Sequence, residues 1–251
     1  MQDPRAPLAV DYHELATYMH NQRCYVWPYV LGLAPPDDLE KYHRGMLREL
    51  DAHHRGQPTE QPLAYWLNAG PDYTTIATAS YVERALGTFR YGGLLQRIAL
   101  DATDHAWVIE PTFDPAIPDS YVAGLYWLGQ HRVAELIRDG TAPPRTRFGG
   151  VIVHYLEGDT SWHPVRCSEY QIMTFTQHAY QVTAEIADKR QHAWTAITNG
   201  EPAGQVWNTL FPHWQCACPW RAVNSVQDAD QAAGVLSRCG EAPPWETRTT
   251  L

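Results

Sequence analysis

Apolar residues recur at intervals of three and four in several stretches of the chain, the spacing of an amphipathic helix. Pro28 interrupts the first of these stretches, and Asp37 or Asp38 can cap the second. The last stretch opens with a capping box formed by Ser168 and Gln171. The pattern predicts helices over residues 12–31, 38–54, 119–138 and 168–198.

Elsewhere the apolar residues favour strands. Residues 91–100 and 106–113 each read as a strand, and the short turn 101–105 between them predicts a β-hairpin. The run Phe148–Leu156 is mostly apolar, which is typical of a strand buried on both faces. Residues 74–86 fit a helix and a strand equally well. The order of elements predicts a mixed α/β core with helical flanks and a loop-rich tail.

Composition narrows the class of protein. The chain has 251 residues, of which 44% are hydrophobic and 19% charged, as expected for one globular domain. It has neither a long apolar run nor an N-terminal basic segment followed by an apolar one, so we expect no membrane contact. Five cysteines are too few for a disulfide scaffold and favour a reducing, cytoplasmic location.

The charge balance limits how the chain can contact nucleic acid. Its 19 basic and 28 acidic residues give a net charge of -9, so any DNA contact requires a local basic patch. Only Lys41 and Lys189 are lysines, and a mechanism that needs a catalytic lysine therefore has two candidates.

The predicted hairpin and the segment before it carry polar residues at a distinctive spacing. Glu83 precedes it, Gln96 lies on its first strand, and Glu110 and Thr112 lie two residues apart on its second. With the surrounding apolar and glycine residues, the stretch 81–113 resembles the core of the RecB-type exonucleases of the PD-(D/E)XK nuclease superfamily. Phage-encoded and CRISPR-adaptation exonucleases show the greatest likeness. The further matching residues are Gly93, Arg97, Ile98, Val108 and Ile109.

The resemblance implies a restriction-endonuclease-like fold, a mixed sheet flanked by helices, and hydrolysis of DNA that depends on Mg²⁺ or Mn²⁺. In the family, an Asp and an Asp or Glu on paired strands bind the ion, and a Lys follows two residues later. Here Gln96 stands in place of the Asp, Glu110 retains the second acid, and Thr112 stands in place of the Lys. Two of these three groups have changed, which predicts a weakened or inactive enzyme.

Segments on either side extend the resemblance. Residues 24–56 are similar to the helical N-terminal segment of the family, 148–157 to a later core strand, and 211–224 to a C-terminal cysteine cluster. In iron–sulfur members, one early and three late cysteines hold a 4Fe–4S cluster. The corresponding candidates are Cys24, Cys216 and Cys218, with Cys239 as a more distant fourth. Zinc held with His213 is an alternative, as are thiols with no ligand.

Three functions remain open at this stage. The chain is a DNA-processing protein of the exonuclease family with weakened or lost catalysis, an active exonuclease with relocated catalytic groups such as Lys189, or a non-catalytic module that binds a protein partner. The first two predict DNA ends or single-stranded DNA as partners. We expect one domain built from a helical segment, an α/β core and a tail, over residues 12–56, 81–194 and 201–251.

Overall fold

The structure is a computed structural model, and it divides the chain into two compact units. One unit comprises residues 1–41 with 179–251, and the other comprises residues 42–178. The description that follows covers residues 8–30, 73–112, 117–155 and 162–212. The predicted helix over 38–54 lies outside these residues, as do Cys216, Cys218 and Cys239.

Helices and strands are numbered in chain order. The helices are α1 (Tyr12–His20), α2 (Gln22–Tyr25), a π-helical turn (Val26–Val30), α3 (Asp119–Arg138), α4 (Glu169–Thr198) and α5 (Ala203–Leu210). The strands are β1 (Ala9–Val10), β2 (Thr74–Leu86), β3 (Phe89–Leu100), β4 (His105–Thr112), β5 (Arg147–Tyr155) and β6 (Trp162–Val165). The structure therefore confirms an α/β class for the described residues.

The unit of residues 42–178 contains a mixed sheet with the order β2-β3-β4-β5-β6. The β2/β3, β3/β4 and β5/β6 pairs are antiparallel, whereas β4 and β5 are parallel. Parallel neighbours cannot be joined by a tight turn, and α3 provides the crossover between β4 and β5. The predicted hairpin is confirmed: β3 and β4 pair from Arg97 with Ile109 to Leu100 with Ala106.

Two elements differ from the sequence pattern in this unit. The ambiguous segment 74–86 is strand β2, because it pairs with β3 along almost its whole length. This pairing satisfies the backbone hydrogen-bonding groups of β2. Local propensity alone did not decide between helix and strand for this segment. β6 was not predicted, and its four residues pair with the buried strand β5. β5 has a run of buried residues from Gly149 to His154, as the apolar pattern predicted.

Helix α3 packs closely on the sheet. It has the predicted bounds and buries Val122, Leu125, Val133 and Leu136. Gly129 permits the close approach, because a Cβ there would lie 2.6 Å from Val108 Cγ2 on β4. The first turns of α4 belong to the same unit. Their capping box is confirmed, since Ser168 N–H donates to Gln171 Oε1 at 2.8 Å and Gln171 N–H to Ser168 Oγ at 3.3 Å.

The described part of the other unit is mainly helical, and aromatic rings such as Tyr18, Tyr25 and Phe211 pack against one another in it. Asp11 caps α1 by accepting a hydrogen bond from Glu14 N–H at 2.7 Å. The predicted helix over 12–31 is broken at Asn21, not at Pro28, because the extended Asn21 ends α1 and its side chain caps α2. The tail was expected to be loop-rich from residue 201, but it begins with α5, which buries Val206 and Trp207. No helix among the described residues is long and apolar enough to cross a membrane.

Candidate functional site

Glu110 is a buried carboxylate near the end of β4, with 7% of the residue exposed. Its Oε1 accepts a hydrogen bond of 2.7 Å from the hydroxyl of Tyr121, in the first turn of α3. Oε2 is buried and has no hydrogen-bond partner among the described residues. Burial raises the pKa of Glu110 to about 7, and the hydrogen bond from Tyr121 offsets only part of this effect.

Gln96 is also buried, with 9% of the residue exposed, on the strand next to Glu110. The β3/β4 register begins at Arg97 with Ile109, so Gln96 comes one position before the ladder. The sheet is irregular at this point. The pairs Ser80 with Leu95 and Thr78 with Arg97 bracket Gln96 on β3 and Ala79 on β2.

Ala79 has a φ of +44°, a left-handed conformation that is rare for a residue with a side chain. Backbone irregularities of this kind concentrate at functional sites. The sequence contains no turn residue here that could have predicted it.

Glu83 lies on the opposite face of the sheet from Glu110. Its neighbour Arg84 reaches α3, donating to the carbonyl of Trp127 at 3.0 Å, and adjacent residues of a strand point to opposite faces. Glu83 accordingly points away from α3, where it accepts a hydrogen bond of 3.0 Å from Arg90. Glu110, by contrast, contacts α3 through Tyr121. The structure therefore does not bring the two carboxylates together.

Thr112, at the position of the family's lysine, is uncharged, and the candidate replacement Lys189 has partners within its own unit. Thr112 is half-buried at the end of β4, where it pairs with Tyr155 of β5. Lys189 belongs to the other unit, and its ammonium group contacts Glu185 at 3.0 Å and Gln22 at 2.7 Å. Within that unit these two partners already engage the charge of Lys189.

A catalytic Mg²⁺ or Mn²⁺ requires several hard oxygen ligands and charge to balance its own. Around Glu110 the described residues provide one carboxylate, with one oxygen already bound to Tyr121, and the neutral amide of Gln96. They contain no group of three His, Cys, Asp or Glu residues that could hold a metal ion. The donors among the described residues are therefore, by themselves, too few to hold a catalytic divalent ion.

Of the four cysteines predicted to hold an iron–sulfur cluster, Cys24 lies among the described residues. Cys24 is buried in α2, and its backbone N–H donates to Asn21 Oδ1 at 3.4 Å. The other proposed cluster ligands, and His213, lie beyond the last described residue. The iron–sulfur cluster and the alternative zinc site therefore remain predictions.

A buried polar cluster on the sheet was not predicted from the sequence. His154 of β5 is 1% exposed and stacks on Trp162 of β6, with ring centroids 3.9 Å apart. His154 Nε2 and Trp162 Nε1 are both buried without a hydrogen-bond partner among the described residues. Burial, followed by the nearby charge of Arg97, lowers the pKa of His154 to about 4. The apolar run around His154 was the only sequence signal of this burial.

Comparisons with protein-family models and with curated proteins find no match for this chain. The family resemblance of residues 81–113 therefore remains an inference from the residues and their spacing.

Proposed function

We propose that this chain is a phage-encoded protein of the RecB-type exonuclease family that acts in DNA processing, and that its metal-dependent hydrolysis has been weakened or lost. Its expected ligands are DNA ends or single-stranded DNA. The observation that carries the proposal is the antiparallel pairing of β3 with β4, the two strands that hold the matching residues.

The packing around this hairpin adds support. Gln96 and Glu110 lie on neighbouring strands and both are buried, although neither is an apolar residue. Buried polar residues are costly, and functional sites are one of the places where proteins retain them. Helix α3 is the next described element after the hairpin, and it packs on the sheet. A helix in this place is expected for the mixed sheet with flanking helices of the superfamily.

The same residues argue against efficient hydrolysis. Phosphodiester cleavage in this superfamily needs a metal ion to activate water and to balance the charge that develops on the phosphate. Gln96 brings no negative charge, Thr112 brings no positive charge, and Glu110 stands alone as a carboxylate on its face of the sheet among the described residues.

The decisive experiment incubates the purified chain with end-labelled single-stranded and double-stranded DNA in the presence of Mg²⁺ or Mn²⁺. Glu110→Ala removes the retained acid, and Glu83→Ala serves as a matched control, because Glu83 lies on the other face of the sheet. We expect DNA binding that weakens as the salt concentration rises, with no degradation beyond that of Glu110→Ala.

Degradation that Glu110→Ala abolishes and Glu83→Ala retains would show an active exonuclease instead. No binding to either DNA at low salt would contradict the proposal as a whole.

A specific surface favours the protein-binding alternative as the second candidate. Tyr81 and Leu94 are direct cross-strand neighbours on the β2/β3 hairpin, and they are 61% and 43% exposed. Neighbouring exposed apolar residues are typical of contact surfaces, whereas single exposed apolar residues occur on most protein surfaces. This candidate predicts that the chain fails to bind DNA at any salt concentration.

A further inference from the structure

Glu110 is held in place from helix α3. The backbone N–H of Tyr121 donates to the carbonyl of Pro118 at 2.9 Å, which fixes the first turn of the helix. From this turn the Tyr121 hydroxyl reaches Glu110 Oε1 at 2.7 Å. One oxygen of the carboxyl group is thus used in a link between β4 and α3.

The surroundings of this link are tightly packed and apolar. Val108 lies two residues before Glu110 and therefore on the same face of β4. Its Cγ2 lies where a Cβ on Gly129 of α3 would clash, at 2.6 Å. On β5 the register partner of Glu110 is Val153, which is 3% exposed. These neighbours bring α3 directly onto the face that carries Glu110 and contribute no oxygen ligands.

The remaining neighbour on the sheet, Gln96, is neutral. Glu83, the other carboxylate in the predicted motif, points to the opposite face and is paired with Arg90. A divalent ion placed at Glu110 Oε2 would therefore be balanced by a single negative charge among the described residues. Binding of a divalent ion at a buried site with one negative charge is unfavourable, because the remaining positive charge has to be desolvated without a partner.

We infer that Glu110 no longer serves as a cation ligand in this chain, and that its carboxyl group is instead a hydrogen-bonded tie between β4 and α3. The inference rests on the proposed function in one respect, since it concerns the position at which the family holds its ion. Oε2 has no partner among the described residues, so a test with a metal ion probes the atom on which the inference depends.

The test compares the thermal unfolding of the whole chain with that of Tyr121→Phe, Glu110→Gln, Glu110→Ala and the double variant Tyr121→Phe/Glu110→Ala. Each is measured with MnCl₂, and with NaCl at the same ionic strength as a control. We expect Mn²⁺ to leave the Tm of the wild type unchanged. Tyr121→Phe should lower the Tm by about 3 °C, because the buried carboxyl group loses its hydrogen-bond donor. Glu110→Gln keeps an acceptor oxygen for Tyr121 and should stay close to the wild type.

The double variant separates a tie from a general packing effect. If the two side chains interact, changing Tyr121 and Glu110 together should cost less than the sum expected from Tyr121→Phe and Glu110→Ala, which break the same hydrogen bond. Electron paramagnetic resonance of Mn²⁺ gives a second readout that packing alone would not change, and we expect the spectrum of the free ion.

Two results would overturn the inference. One is a rise in the Tm of the wild type with Mn²⁺ that Glu110→Gln abolishes, and the other is a Tm of Tyr121→Phe equal to that of the wild type. Neither would contradict the family assignment, which is tested by DNA binding. Conversely, a failure to bind DNA would remove the proposed function and leave the tie between β4 and α3 intact.

Discussion

Two buried glutamates, one in each unit, have nearly the same local chemistry. Glu110 on β4 accepts a hydrogen bond of 2.7 Å from Tyr121, and Glu14 on α1 accepts one of 2.9 Å from Tyr25. They are 7% and 8% exposed, and burial is the largest cause that raises the pKa of each carboxyl to about 7.

Their electrostatic surroundings differ. The charge of Arg190 acts to lower the pKa of Glu14, and that of Asp11 acts to raise it, whereas the pKa of Glu110 responds only to burial and Tyr121. The second distinction is in the sequence: Glu110 lies in the hairpin that resembles a nuclease core, and Glu14 does not.

The comparison limits what a shifted pKa can show. Perturbed carboxyl groups are often found at active sites, but structural carboxyls shift in the same way. Because Glu14 and Glu110 share burial, a tyrosine partner and a raised pKa, these properties alone do not mark a catalytic group. The assignment of Glu110 rests on the hairpin and its spacing.

The largest expected effect comes from deleting either carboxyl group. Glu110→Ala and Glu14→Ala should each lower the free energy of unfolding by about 2 kcal/mol, because a tyrosine hydroxyl, partly buried at Tyr121 and buried at Tyr25, loses its acceptor. Denaturation by urea measures the change in each variant. A cost at Glu14 with none at Glu110 would break the comparison and contradict a structural role for Glu110.

The pH dependence of stability should be a smaller effect with the same sign at both sites. Each carboxyl has an ordinary pKa of 4.5 and a folded pKa of about 7, so the folded chain keeps a proton that the unfolded chain releases between these values. Their stabilising contributions are therefore complete below pH 4.5 and are lost as the pH rises through about 7.

Glu110→Gln and Glu14→Gln, measured beside the wild type by urea denaturation over this pH range, should each reduce the loss. If Glu14→Gln flattens the profile and Glu110→Gln leaves it unchanged, then Glu110 is ionised in the folded chain and the two sites are not equivalent.

His154 provides a contrast of opposite sign. Its pKa is lowered from 6.5 to about 4, so the unfolded chain binds a proton that the folded chain does not. Stability should therefore fall as the pH drops from 6.5 towards 4. His154→Phe can still stack on Trp162 and should remove this fall, as urea denaturation at a series of pH values would show. An unchanged slope in that variant would assign the acid sensitivity to other groups.

Local patterns in the sequence were sufficient for several elements. The spacing of apolar residues gave α3 its bounds, and the Ser168–Gln171 pair marked the start of α4, because helix periodicity and capping depend on residues only a few positions apart. The hairpin of β3 and β4 was predicted for the same reason, since a short turn joins its strands. Segment 74–86 stayed ambiguous until its pairing partner was known.

The candidate site divides in the same way. Glu110, Gln96, Glu83 and Thr112 could be singled out by type and spacing, but the faces on which they lie could not. Which face Glu83 takes follows from Arg84 reaching α3, more than 40 positions further along the chain. The burial of His154 likewise depends on β6, which pairs with β5. β6 has only four residues, and so short a segment gives too weak a pattern to predict a strand.

By itself, then, the order of residues determined α3, the start of α4, the hairpin and the types of side chain that the hairpin carries, because these depend on neighbours within a turn or two. Only the tertiary structure decided that the Tyr121 hydroxyl donates a hydrogen bond to Glu110 and that Glu83 lies on the other face of the sheet. It also decided that α3 packs on the face that carries Glu110. These outcomes depend on contacts between distant segments, and such contacts set the burial, the hydrogen bonding and the charge that a functional group experiences.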